Sequence, residues 1–188
     1  MGTQIYLGMP PPHIKKWIEG HTVPVAPKGK VLYRTTAGGD WLEDDADITD
    51  GTFNGFANKT NAVEVIIPSK DANGNAVTSI EKSAFADCSR LTSVTIPDSV
   101  TSIGDGAFHS CGGLTSVTIP GSVTSIGDSV FFDCYRLTSI EFKGNAPIVG
   151  VYAFDAVASG CKAVISPTAT GFPEPGETWN GLIVEVKP

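Results

Sequence analysis

The 188-residue chain reads as a repeat solenoid, a stack of one short unit closed by non-repeat segments at both ends. Three observations predict this. "LTSVTIPDSVTSIGDGAFHSCGG" (Leu91 to Gly113) is followed at once by "LTSVTIPGSVTSIGDSVFFDCYR" (Leu114 to Arg136), and 16 of the 23 positions are identical. The same step of 23 spaces Phe85, Phe108, Phe131 and Phe154, and also Ile80, Ile103, Ile126 and Val149. It spaces Leu91, Leu114 and Leu137 as well, and Val94, Val117 and Ile140. Apolar slots in one register at this period mark an array whose units bury their apolar faces only against one another.

Each part of the unit has a local reason. Leu-x-x-Val-x-Ile ends in alternation, so Val94 and Ile96 should point inward while Ser93 and Thr95 point out. Pro97 and Pro120 end this strand, because proline lacks the N–H that a ladder needs. "VTSIG" offers a second short extended stretch, punctuated by Gly104 and Gly127. "DGAFHSC" and "DSVFFDC" have room for no more than a helical turn, with Asp105 and Asp128 placed as N-caps.

Towards both ends the pattern degrades, as terminal repeats do when they cap a stack. "ITDGTFNGFANKTNAVEVIIPSK" (Ile48 to Lys70) is the same unit. With Phe53 aligned to Phe108 it is three residues longer, 15 against 12 up to the proline. "KDANGN" reads as a six-residue surface insertion at a turn. Beyond Phe154, Cys161 and Val164 fill the next strand slots one residue late, and Pro167 closes them. The expected organisation is a segment 1–47, about five turns over 48–167, and a C-terminal cap at 168–188, with Trp179 and Leu182 over the last turn.

The pattern L-x-x-V-x-I-P-x-S-V-x-x-I-G-x-x-A-F-x-x-C resembles the BspA-like leucine-rich repeats, a type also seen in treponemal surface proteins. The resemblance covers about two thirds of the chain and is most specific between Val77 and Phe142. It implies a curved, right-handed superhelix with a parallel β-sheet on one face and short or helical turns on the other. It also implies a surface-exposed protein that binds other proteins.

Residues 1–47 share nothing with the repeat. "PPPHIKKWIEGH" sets Pro12 at a helix start, with Ile14, Trp17 and Ile18 on one face. The segment is read either as a cap on the open end or as an anchor docking the repeat, through residues 1–29, to a larger assembly. "IYLGMPPPHIKKWI" is similar to short starts on phage and prophage proteins, which makes a virion component the first alternative. A structural spacer without a ligand is the second.

Composition excludes other classes. Thirteen basic against twenty acidic residues give a net charge of −7, the wrong sign for nucleic acid or anionic lipid. No run approaches the roughly 18 apolar residues of a membrane span. The N-terminus carries no secretory signal pattern, so location stays open between the surface and a virion. No cofactor or metal is expected. Cys88, Cys111 and Cys134 share a slot with Val157 and read as free buried thiols, with no Cys-x-x-Cys spacing for zinc. The carboxylates of "EDDADITDG" miss the calcium-loop pattern and read as a solvated lead-in to the first repeat. His13, His21 and His109 have no nucleophile or carboxylate at a known spacing, so the chain is read as non-enzymatic.

The seven differences between the two near-identical units show where a partner would touch. Six fall in the turn, which is expected to face solvent and vary freely. Phe132 occupies a slot that holds Ala86, His109 and Asp155 in other units, and Tyr135 one that holds Ser89, Gly112 and Ala158. Both rings are therefore expected to face solvent, the alternative being that Phe132 folds back over the adjacent turn and shields it. With His109 and Arg136 they form the candidate patch for a protein partner or surface receptor, since exposed aromatics and arginine carry interface energy. A homo-oligomer or larger assembly is also allowed. The sheet face of Ser93, Thr95, Ser116, Thr118, Ser139 and Glu141 has no such anchors.

Overall fold

The computed structural model describes residues 24–187, so Ile14, Trp17 and Ile18 lie outside the described residues. The chain forms a parallel β-solenoid of about six turns with almost no helix. The first face begins with β1 (Lys30–Arg34) and β2 (Leu42–Asp45), an antiparallel pair. β3 (Asp47–Thr49) and β4 (Thr52–Gly55) form a hairpin on the second face. β5 (Glu64–Ile66), β7 (Ser93–Thr95), β9 (Ser116–Ile119), β11 (Ser139–Phe142) and β13 (Lys162–Ile165) then stack on the first face. β6 (Ser79–Ile80), β8 (Ser102–Ile103), β10 (Ser125–Ile126) and β12 (Ile148–Val149) continue the second. β14 (Thr178–Trp179) and β15 (Leu182–Val186) complete the chain, and β15 lies parallel to β13 as a sixth rung. On the first face the strands run β2-β1-β5-β7 and β9-β11-β13-β15-β14, with β7 beside β9. On the second face they run β3-β4-β6-β8-β10-β12.

Alternation does what the sequence asks. Val94 and Ile96 are buried and Ser93 and Thr95 exposed, and β7 and β9 stop before their prolines. A step of 23 places each apolar residue on its own copy one turn away. Phe85, Phe108 and Phe131 stack nearly parallel at 5.0 and 5.3 Å, and Phe154 continues the column at 5.9 Å from Phe131. No polar or charged residue is buried among the described residues, so burial of apolar side chains, each contributing about 1.5–3 kcal/mol, drives the stacking.

Three sequence expectations are corrected. Phe53 lies in β4 opposite Ile80 rather than in the phenylalanine column, although its ring still stacks on Phe85 at 5.5 Å. Counted from that slot, the first unit is two residues shorter than its neighbours, 15 against the 17 from Ile103 to Pro120. β13 keeps the step of 23: Ala163 and Ile165 pair with Ile140 and Phe142 and face inward, while Val164 lies beside Glu141 on the outer side. The spare residue is absorbed before the strand, because a slipped strand would turn its apolar set outward.

The third correction concerns the turns. No helical turn follows Asp105 or Asp128, and neither caps its own turn. Asp105 Oδ1 accepts the Asp128 N–H at 3.0 Å, and Asp128 Oδ1 accepts the Val151 N–H at 2.8 Å, each one turn further on. The backbone here puts Ser83, Gly106, Ser129 and Tyr152 at positive φ, and again Asp87, Ser110, Asp133 and Ala156. Left-handed residues between right-handed ones aim successive amides along the stack. The N–H groups of Ser83, Phe85 and Asp87 donate to the carbonyls of Asp105, Ala107 and His109, and this repeats in the next two turns. At the N-terminal end the Lys59 ammonium donates to the Ala84 carbonyl at 2.9 Å.

Candidate interaction edge

The candidate patch sits on this turn edge, where two adjacent turns carry two columns of side chains. In one column the His109 and Phe132 rings stack at 5.4 Å with planes 10° apart. Ser110 Oγ lies 3.0 Å from His109 Nδ1 and 3.5 Å from Asp133 Oδ2, which fixes the imidazole at the edge of the stack. In the other column the Tyr135 ring lies on Gly112: a Cβ there would come within 2.4 Å of it. Tyr135 is 61% exposed, and Arg136 beside it is exposed and has no ion pair among the described residues. The equivalent Arg90, two turns back, donates instead to the Thr35 carbonyl at 3.1 Å.

Of the two positions expected for Phe132, the structure shows the one folded back over the adjacent turn: the ring is half-buried on His109 rather than facing solvent. A ring two turns from the N-terminal strands has His109 to lie on, and stacking removes apolar area that exposure would leave wet. Tyr135 does face solvent. Nor is the whole turn free to vary: Ala107 and Val130 are buried core residues, and Gly112 is buried under Tyr135. The differences at Gly106/Ser129 and Ser110/Asp133 fall on left-handed backbone, which restricts those positions to small or turn-forming residues.

The remaining constellations are structural. The four cysteines are free and buried. Cys111 and Cys134 donate to the Phe85 and Phe108 carbonyls, each at 3.2 Å. Burial pushes the thiols of Cys88 and Cys161 up to about 11 and that of Cys134 up to about 12. Cys111 is raised further by burial, with the neighbouring thiols adding to it. All four therefore stay protonated and unreactive near neutral pH. In the acidic lead-in, Asp44 accepts from Asn58 and Asp45 pairs with Lys30. Among the described residues no cluster of metal-ligating side chains forms.

One feature escaped sequence reasoning. Thr52, Ser79, Ser102 and Ser125 line a shallow groove of about 490 Å³ across the second face, floored by Gly104 and Gly127. The serine column was visible in "VTSIG", but its place in a groove depends on the flanking glycines. On the first face, Glu141 joins Lys187 at 2.8 Å and Thr118 at 3.5 Å. The Lys187 hydrogen bond holds the Glu141 carboxyl below its usual range.

The family model of the BspA type leucine rich repeat region matches residues 49–171 in six copies. A solved structure, the Treponema pallidum leucine rich repeat protein, shares 22% identity with a TM-score of 0.49, covering 65% of this chain and 68% of that one. No curated protein matches the sequence significantly. Leucine-rich-repeat domains generally mediate protein–protein interactions as non-enzymatic scaffolds, and BspA-like members are often surface-associated. No described helix is long and apolar enough to cross a membrane. With six matched repeats and stacked parallel turns, the chain belongs to the BspA-type leucine-rich-repeat family.

Proposed function

We propose that this chain is a non-enzymatic attachment module that holds a protein partner or surface receptor on its turn edge. The observation that carries the reading is Tyr135. Its slot holds Ser89, Gly112 and Ala158 in other turns, so the fold has no standing need for a ring there, yet the ring is present and exposed. Arg136 adds an unpaired guanidinium beside it, and the His109–Phe132 stack supplies a flat, half-buried flank. Aromatic and arginine side chains on a rigid base supply contact at low entropic cost.

The test separates binding from folding. Wild-type chain and the Tyr135→Ala/Arg136→Ala variant are immobilised at equal density and compared for what each retains from a protein mixture. The variant should melt within about 2 °C of wild type, as exposed substitutions do, while the retained proteins are lost. Retention equal to wild type would show that the partner binds elsewhere. Phe132→Ala reports separately on the stack, and a small fall in melting temperature is expected there.

A further inference from the structure

The two near-identical units differ where they touch. Their turns lie one above the other, and three of the seven differing pairs are contacts across that boundary. His109 carries the ring of Phe132 at 5.4 Å, and Ser110 Oγ lies 3.5 Å from Asp133 Oδ2. Gly112 lies beneath the phenol end of Tyr135. At these positions each residue of the earlier turn sits against the one that replaces it in the later turn. The differences are matched in pairs.

The glycine at 112 is not there for the backbone. It does not lie in the left-handed region, so a residue with a side chain can take its conformation. The same slot holds Ser89 and Ala158 in other turns, so the fold accepts a side chain there. Nor is it a point of close approach between main chains. A Cβ on Gly104 would come 2.7 Å from the Lys82 nitrogen, and one on Gly144 2.7 Å from the Gly121 carbonyl oxygen; those glycines let neighbouring turns meet. A Cβ on Gly112 would lie 2.4, 2.7 and 2.8 Å from Cε1, Cζ and Oη of Tyr135, and these are the three atoms nearest to it. What the missing Cβ makes room for is the ring.

Tyr135 is 61% exposed, and a ring on an open surface has several rotamers to choose from unless something holds it. Here its phenol end reaches back one turn, over a glycine that is itself buried. Serine or alanine at 112 would fill that seat and push the ring off it. A side chain already ordered before its partner arrives loses less rotamer freedom on binding. The seat therefore matters to an interface in a way that it does not matter to the stack.

We infer that Gly112 is a positioning residue of the turn edge: it seats the Tyr135 ring in the orientation that a protein partner meets. The role rests on Tyr135 anchoring that partner. Gly112 touches the partner only through the ring it holds, and the pairing of Gly112 with Tyr135 is a requirement of binding rather than of folding.

The seat is read directly in the full chain as a nuclear Overhauser contact between the Gly112 Hα and the Tyr135 ring protons. It should be present in the wild type, and its absence would overturn the inference. Gly112→Ser places the residue of the Ser89 slot at 112. The variant should melt within about 2 °C of wild type, with Tyr135 and Arg136 both still in place. Immobilised beside the wild type, it should retain roughly tenfold less of the proteins that the wild type takes from the same mixture, the size of a lost interface anchor. If Tyr135→Ala/Arg136→Ala loses those proteins and Gly112→Ser keeps them, the seat has no part in binding: the inference falls and the role of Tyr135 stands. If both variants keep them, the two fall together. Should serine lower the melting temperature, the Tyr135→Ala background decides. With the ring gone, serine at 112 should cost nothing, which identifies the ring as what it displaced. A fall that persists there would show that the fold itself needs the glycine, and would overturn the inference.

Discussion

Phe108→Ala tests the stacked core most directly. The ring lies fully buried between Phe85, at 5.0 Å and 6° between planes, and Phe131, at 5.3 Å and 3°. Truncating a buried phenylalanine costs about 3–5 kcal/mol, the spread reflecting how far the surroundings collapse into the cavity. Collapse is restricted here. The Phe85 N–H donates to the Ala107 carbonyl at 2.7 Å and the Phe108 N–H to the Val130 carbonyl at 3.0 Å, so the backbone fixes the spacing of the turns. The two flanking rings cannot close without breaking that ladder, and each stacked contact adds about 0.5–1.5 kcal/mol beyond area burial. The expected loss is therefore in the upper half, about 4–5 kcal/mol. For a chain of this size that lowers the melting temperature by about 8–20 °C. Guanidinium titration followed by circular dichroism measures it. Phe108→Leu keeps most of the volume and should cost less, which keeps the comparison readable if the alanine variant does not fold. A loss below about 1 kcal/mol for Phe108→Ala would refute the stacked register.

Two further outcomes follow from the same geometry. The buried thiols keep their protons to about pH 11 or beyond, while unfolded cysteine loses its own near pH 8.5. Because the folded values are raised, the stability is complete below about pH 8.5 and falls as pH rises towards the folded values, by about 2 kcal/mol per thiol at pH 10. Urea midpoints at pH 7 and pH 10 check this: Cys111→Val, a residue the slot accepts at Val157, should remove about 2 kcal/mol of the alkaline loss, and an unchanged loss would contradict it. Gly127→Ala would place a Cβ 2.4 Å from Asp105 Oδ1 and 2.8 Å from the Asp105 nitrogen. Forcing the turns apart should cost about 1–3 kcal/mol by thermal melting, and a neutral result would mean that the Asp105–Asp128 link is not made.

The sequence by itself determined the architecture, because a stack makes identical demands on every turn. Val94, Val117 and Ile140 must each fit the slot above and below, so the requirement is written as a period that survives without any structure. The same logic made Cys88, Cys111 and Cys134 legible as core, since Val157 can replace them. Tertiary structure alone decided what depends on a neighbour 23 residues away rather than on local pattern. Asp105 looks like a helix cap until the next turn brings the Asp128 amide to its carboxylate. Phe132 looks exposed by slot comparison until His109 appears beneath it. Phe53 counts as a column member until strand pairing sets it opposite Ile80. Leu182–Val186, which carries no repeat pattern, becomes a sixth strand because the edge of β13 still offers unpaired backbone.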